Sequence, residues 1–119
     1  MNKEELKIRT KEFAHRCVKL SSMALPENCL GNHVRGQLIR CSTSVASNYR
    51  AACIAQSRAS FISKLGIVIE EVDEASFWIE FASDERLLDK QKVTLLLKEA
   101  KELAAIFVSS RKTARKNSQ

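Results

Sequence analysis

The chain is poor in the residues that break helices, with three glycines and one proline in 119 positions. Hairpin turns depend on such residues, so an all-β fold has little to build on. Histidine occurs twice, at His15 and His33, and no Cys-x-x-Cys pair occurs. A zinc site therefore lacks its usual seed, and a di-iron bundle lacks its Glu-x-x-His pairs. Neither a Gly-rich phosphate loop nor a nucleophile elbow is present. No run of about 18 apolar residues offers a membrane span, and the charged start MNKEELKIRTKEF has no apolar signal core. These absences predict a cytoplasmic protein without cofactor, metal or membrane partner, and not an enzyme. Cys17, Cys29, Cys41 and Cys53 recur every twelve residues, but their flanks share no pattern. They read as reduced thiols, with Cys17, Cys41 and Cys53 acting as small hydrophobes.

What is present is helical. Hydrophobic residues make up 45% and charged residues 29%, the balance of a globular protein, and the length suits one domain over 1–119. Apolar spacing of three and four predicts helices over about 3–24, 33–56, 58–83 and 90–113. Their stripes are Leu6, Phe13, Cys17, Leu20 and Ala24; then Val34, Leu38, Cys41, Val45, Asn48 and Ala52. The third carries Phe61, Leu65, Val68, Val72, Ala75 and Ile79, and the fourth Val93, Leu96, Ala100, Leu103 and Phe107. Pro26, Asn28, Gly31 and Asn32 mark the first break. Ser57 and Asp89 stand where helix caps belong. Asn48 reads as a buried amide that fixes register or caps a neighbouring group. The basic segment 111–119 is expected to fray. Four such helices with short loops predict an all-α, antiparallel up-down-up-down bundle.

The third helix carries a surplus. Opposite its core stripe lie Ile67, Phe77, Trp78 and Phe81, interleaved with Glu70, Glu71 and Glu74, where a bundle helix should be polar. The second helix offers a matching face of Arg40, Thr43, Ser44, Ser47, Ala51 and Ile54, with Arg50 alongside. Joining unlike faces of two copies makes a heterologous contact, which closes into a ring when the rotation permits. Arg40 and Arg50 are then available to Glu70 or Glu74 across the interface, and the carboxylates read as interface charges.

Charge is segregated along the chain. Residues 59–89 hold eight acidic and two basic groups, whereas 90–119 hold two acidic and eight basic, and 31–58 hold no acid at all. With the acidic helix used in assembly, the remaining surface is more basic than the net +6 suggests. Lys7, Lys11, Arg16 and Lys19 on the first helix, with Lys98, Lys101, Arg111, Lys112, Arg115 and Lys116 on the fourth, are the candidate nucleic-acid contacts. With no base-reading module, binding to RNA or DNA is expected to be backbone-dominated and salt-sensitive. The other expectation is a scaffold that docks a nucleic-acid enzyme through the same basic surface, with no direct nucleic-acid binding.

The middle of the chain resembles a known family. Arg40, Ser44, Ala46, Asn48 and Tyr49 through Ala52 carry the likeness, followed by the Ser57-Arg58 corner, Phe61 and Lys64-Leu65. Glu70-Glu71, Asp73-Glu74-Ala75 and the aromatic-Trp78 pair continue it, and Leu97-Lys98-Glu99-Ala100 with Leu103 extend it. The pattern is similar to the small bacterial four-helix bundles named after intervening sequences of 23S rRNA genes, relatives of the accessory variability proteins of retroelements. The resemblance implies a homopentameric ring and a role with nucleic acid. Many members carry Lys at the position of Glu70 and Ile-Ala-Glu in place of Tyr49-Arg50-Ala51, an exchange of charge between two facing sides.

Overall fold

A computed structural model describes residues 1–117 as four helices: α1 (Lys3–Ala24), α2 (Cys29–Cys53), α3 (Arg58–Asp84) and α4 (Lys90–Lys116). No strand occurs among the described residues. The body measures 49 × 21 × 20 Å, longer than the ~40 Å of its 27-residue helices at 1.5 Å per residue. Each helix packs on its sequence neighbours, and α1 meets α4 along the narrowest of the four seams.

Side chains set the helix boundaries. Asn2 caps α1 by accepting from the Glu5 amide at 2.8 Å, while its own amide donates to Glu5 Oε1 at 2.9 Å, a reciprocal pairing like a capping box. Asn28 caps α2 by accepting from Gly31 N at 2.7 Å, so this helix starts at Cys29 and not at His33. Gly31 and Asn32, expected in the loop, lie inside the helix. Gly31 is required there because the chain doubles back against it: a Cβ would stand 2.0 Å from the Pro26 carbonyl oxygen. Arg35 locks the same corner, donating to the carbonyls of Ser21 at 3.0 Å and Leu25 at 2.7 Å.

Helix α2 ends at Cys53, three residues earlier than expected, and Ser57 caps α3 by accepting from Ser60 N at 3.0 Å. At the far end of α3, Arg86 N donates to Ser83 O at 3.0 Å and Leu87 N to Ala82 O at 2.8 Å. These are the two bonds of a Schellman motif, with Arg86 at φ 60 in the left-handed place where glycine is usual. Asp89 holds the N-cap position of α4 without a side-chain bond. The basic tail expected to fray is helical to Lys116, and its last two positions lie outside the described residues.

The core follows the apolar stripes. Every expected position on α4 is buried, as are Leu65, Val68, Val72, Ala75 and Ile79 on α3. Phe13 and Phe107 are the largest fully buried side chains. Asn48 is a correction: it is only half-buried, donating to Ser44 O at 3.0 Å within its own helix, and Tyr49 takes the core position against Phe107, ring centroids 5.4 Å apart. Burial pushes the Cys17 and Cys41 thiols up to about 12, which keeps them protonated. All four cysteines are free, and Cys29 is exposed.

Two corners give substitutions of opposite sign, both read from urea unfolding midpoints. Gly31→Ala is expected to destabilise by about 1–3 kcal/mol, since neither Pro26 nor the helix can yield easily. Arg86→Gly is expected to stabilise by roughly 1 kcal/mol by removing the left-handed penalty.

Candidate functional site

Two surfaces stand out, one on α2 and α3, the other on α1 and α4. The first is centred on Arg40. Its guanidinium reaches Glu71 at 3.2 Å and makes a close ion pair with Glu74, both within the same chain. Glu70, expected as a partner, is exposed and not engaged by Arg40. Glu74 Oε2 also accepts from Trp78 Nε1 at 3.2 Å. The Arg40 hydrogen bond holds the Glu74 carboxyl below the usual carboxylate range.

Trp78 is the hub of an aromatic cluster. Its ring meets His33 edge-on at 5.4 Å, Phe77 at 5.0 Å and Phe81 at 6.0 Å, while Phe77 stacks on Phe81 at 5.8 Å. Trp78 and Phe81 are half-buried against the core, so the outer face is narrower than the wheel suggests. Phe77 and Ile67 are its exposed apolar members, at 53% and 37%. On α2, Thr43, Ser47 and Arg50 are exposed and Ser44 and Ala51 half-buried, with Ile54 77% exposed at the end.

Sequence reasoning missed a groove of about 710 Å³ between α1 and α2, where Thr43, Ala46, Ser47 and Arg50 face Lys7, Ile8, Lys11 and His15. Ile8, 60% exposed, lies in it. The signal was available: Ile8 is the apolar residue of early α1 that falls off the core stripe.

The second surface gathers cations from two adjoining helices. Lys11, Arg16 and Lys19 on α1 and Lys98, Lys101, Lys112, Arg115 and Lys116 on α4 are exposed, and Arg111 is half-buried. Lys7 pairs with Glu4 at 2.7 Å and is partly spent. Carboxylates also lie along this seam, but Arg9 occupies two of them. Its guanidinium binds Glu99 through Nε at 2.8 Å and through a second nitrogen at 2.6 Å, and reaches Glu102 at 3.1 Å. This fork fastens α1 to α4 and offsets the two carboxylates of α4. Among the described residues, no three His, Cys, Asp or Glu side chains gather as a metal site, and no helix is long and apolar enough to cross a membrane.

The Arg9 hydrogen bond holds the Glu99 carboxyl below its ordinary range, and the side chain is only 15% exposed. A carboxyl whose folded value lies below its unfolded value of about 4.3 stabilises the fold above that pH. The contribution is lost as pH falls through the lowered folded value. Glu99→Gln is therefore expected to cost about 1 kcal/mol at pH 7 and to flatten the loss of stability below about pH 4.3. Urea unfolding across pH 2.5–7 measures both, and parallel pH profiles for variant and parent would contradict the assignment.

Comparison with known proteins gives matches of long coverage. The model of the 23S rRNA-intervening sequence protein family matches residues 4–109, which span the Arg40 cluster, the groove and the Arg9 fork. A crystal structure of a protein of unknown function from the S23 ribosomal protein family of Bacteroides thetaiotaomicron VPI-5482 is 29% identical, with a TM-score of 0.82. It is matched over 90% of this chain and 98% of that one. No curated protein matches. On the extent of the family match, the chain belongs to the 23S rRNA-intervening sequence protein family.

Proposed function

We propose that this is a cytoplasmic, non-enzymatic bundle that assembles into a homopentameric ring and binds RNA or DNA through its basic surface. The helices run up, down, up and down, an arrangement supported by the pairing of early α2 with late α3 through His33 and Trp78. One observation carries the reading: the aromatic, carboxylate-bearing face lies on α2 and α3, whereas the cationic rows lie on α1 and α4. Assembly through the first leaves Arg16, Lys19 and the α4 cations open, whereas Lys7 and Lys11 border the α2 face across the α1–α2 groove. Five copies carry about +30, a strong field for a polyanion. The family's name, tied to intervening sequences in 23S rRNA, supports RNA as the polyanion.

A second reading is favoured by the α1–α2 groove. Its exposed Ile8, bordered by Lys11 and Arg50 and by Lys7 paired with Glu4, suits an acidic protein segment, which makes the bundle a scaffold docking a nucleic-acid enzyme without touching nucleic acid itself.

Anisotropy with labelled RNA separates the two. Binding at micromolar concentration or tighter that weakens at least tenfold between 50 and 200 mM salt fits counterion release from several phosphates. An absence of binding at low salt would sink the first reading. For assembly, light scattering is expected to give a mass near five subunits. Ile67→Glu with Phe77→Glu is expected to lower that mass while leaving helicity intact, since both residues are exposed. A double variant of unchanged mass would place the interface elsewhere.

A further inference from the structure

The end of the bundle where α1 and α3 begin and α2 and α4 finish holds an open pocket of about 630 Å³. That volume lies within the ~300–1,000 Å³ range of small-ligand sites and exceeds what a lone phosphate needs. Two helix N-termini and two C-termini meet here, so their dipoles oppose one another and side chains decide the local field. Among the described residues, the lining includes Lys3 and Arg58 but no carboxylate. Ser109, Ser110 and Thr113 contribute three hydroxyls from α4, and Phe61, half-buried, provides an aromatic wall. The Lys3 ammonium sits 4.8 Å from the centre of the Phe61 ring. Arg58 donates to the backbone carbonyl of Asn117, which holds it at the rim.

From this constellation we propose that the pocket binds a nucleoside 5′-phosphate, with the base on Phe61, the phosphate between Lys3 and Arg58, and the sugar against the α4 hydroxyls. Base–aromatic stacking is stronger than an exposed cation–π contact, so an incoming base displaces Lys3 from the ring and frees its ammonium for the phosphate. Two positive groups with no carboxylate among the described lining residues favour an anion. The ring and the hydroxyls distinguish a nucleotide from inorganic phosphate. The ligand is either a free nucleotide or the 5′-terminal nucleotide of a strand, since both present the same groups. The pocket uses none of the cations assigned to the outer α1–α4 surface, so this inference stands or falls separately from nucleic-acid binding there.

Calorimetric titration of the full-length protein with AMP, adenosine and inorganic phosphate tests it. AMP is expected to bind at least tenfold more tightly than either of the others. Lys3→Ala and Arg58→Ala, both at exposed positions, are expected to weaken AMP at least tenfold with unchanged circular dichroism and melting temperature. Phe61→Leu is expected to remove the preference for AMP over phosphate. A 5′-phosphorylated oligoadenylate that binds more tightly than both AMP and its 5′-hydroxyl counterpart identifies a strand end; otherwise the ligand is the free nucleotide. Lys98→Glu with Lys101→Glu leaves AMP affinity unchanged while weakening long RNA, which separates the two sites. AMP binding no tighter than phosphate, or unaffected by Lys3 and Arg58 substitution, overturns the assignment.

Discussion

The structure depends on removing the α3 stripe from water. Leu65, Val68, Val72, Ala75, Ile79 and Ala82 are buried without residual exposure, and α3 lies between α2 and α4. At about 25 cal/mol per Å² of apolar surface, burial of these side chains is a large favourable contribution to the fold. Only one rotation of α3 buries this stripe. That rotation then sets where the other side chains of the helix must go.

One outcome is the Arg40 cluster. With the stripe inward, Glu71, Glu74 and Trp78 flank the α2–α3 seam, and Arg40 meets them from α2. The carboxylates that sequence assigns to another subunit are thus partly satisfied at home, while Phe77 and Ile67 remain uncovered. The apolar members, more than the charged ones, define what is left for a partner. A partly exposed ion pair contributes little by itself, whereas an exposed aromatic gains from being covered.

The other outcome lies on the opposite side. The α1–α4 seam is narrow, and the Arg9 fork to Glu99 and Glu102 bridges it. By engaging Glu99 and Glu102 around one guanidinium, the fork offsets both acids of α4, so that the free charges of that helix are lysines and arginines, while Glu4, Glu5 and Glu12 stay exposed on α1. Charge segregated along the sequence becomes charge segregated in space. Short loops, closed by Asn28 with Gly31, by Ser57 and by the Arg86 Schellman turn, keep each helix beside its neighbour and preserve that separation.

Helix number, the α3 and α4 core stripes and the Ser57 cap were legible in the sequence, because a 3.6-residue period and a hydroxyl before a first turn are local signals. The start of α2 was not. Asn28 and Gly31 look like loop residues until Pro26 is seen doubling back against the helix, a contact that no local rule reports. Arg86 in the left-handed cap was equally hidden, since glycine is the usual occupant. Asn48 and Tyr49 exchanged places because adjacent positions on a helix differ by about 100°, and only packing against Phe107 decides which of them turns inward. The sequence by itself determined an all-helical chain with an acidic third helix and a basic fourth. Tertiary structure alone decided which carboxylates face which arginines, how far Trp78 and Phe81 sink into the core, and that four helix ends border an open pocket. Those outcomes depend on distances between segments far apart in the chain, and helical periodicity contains no information about them.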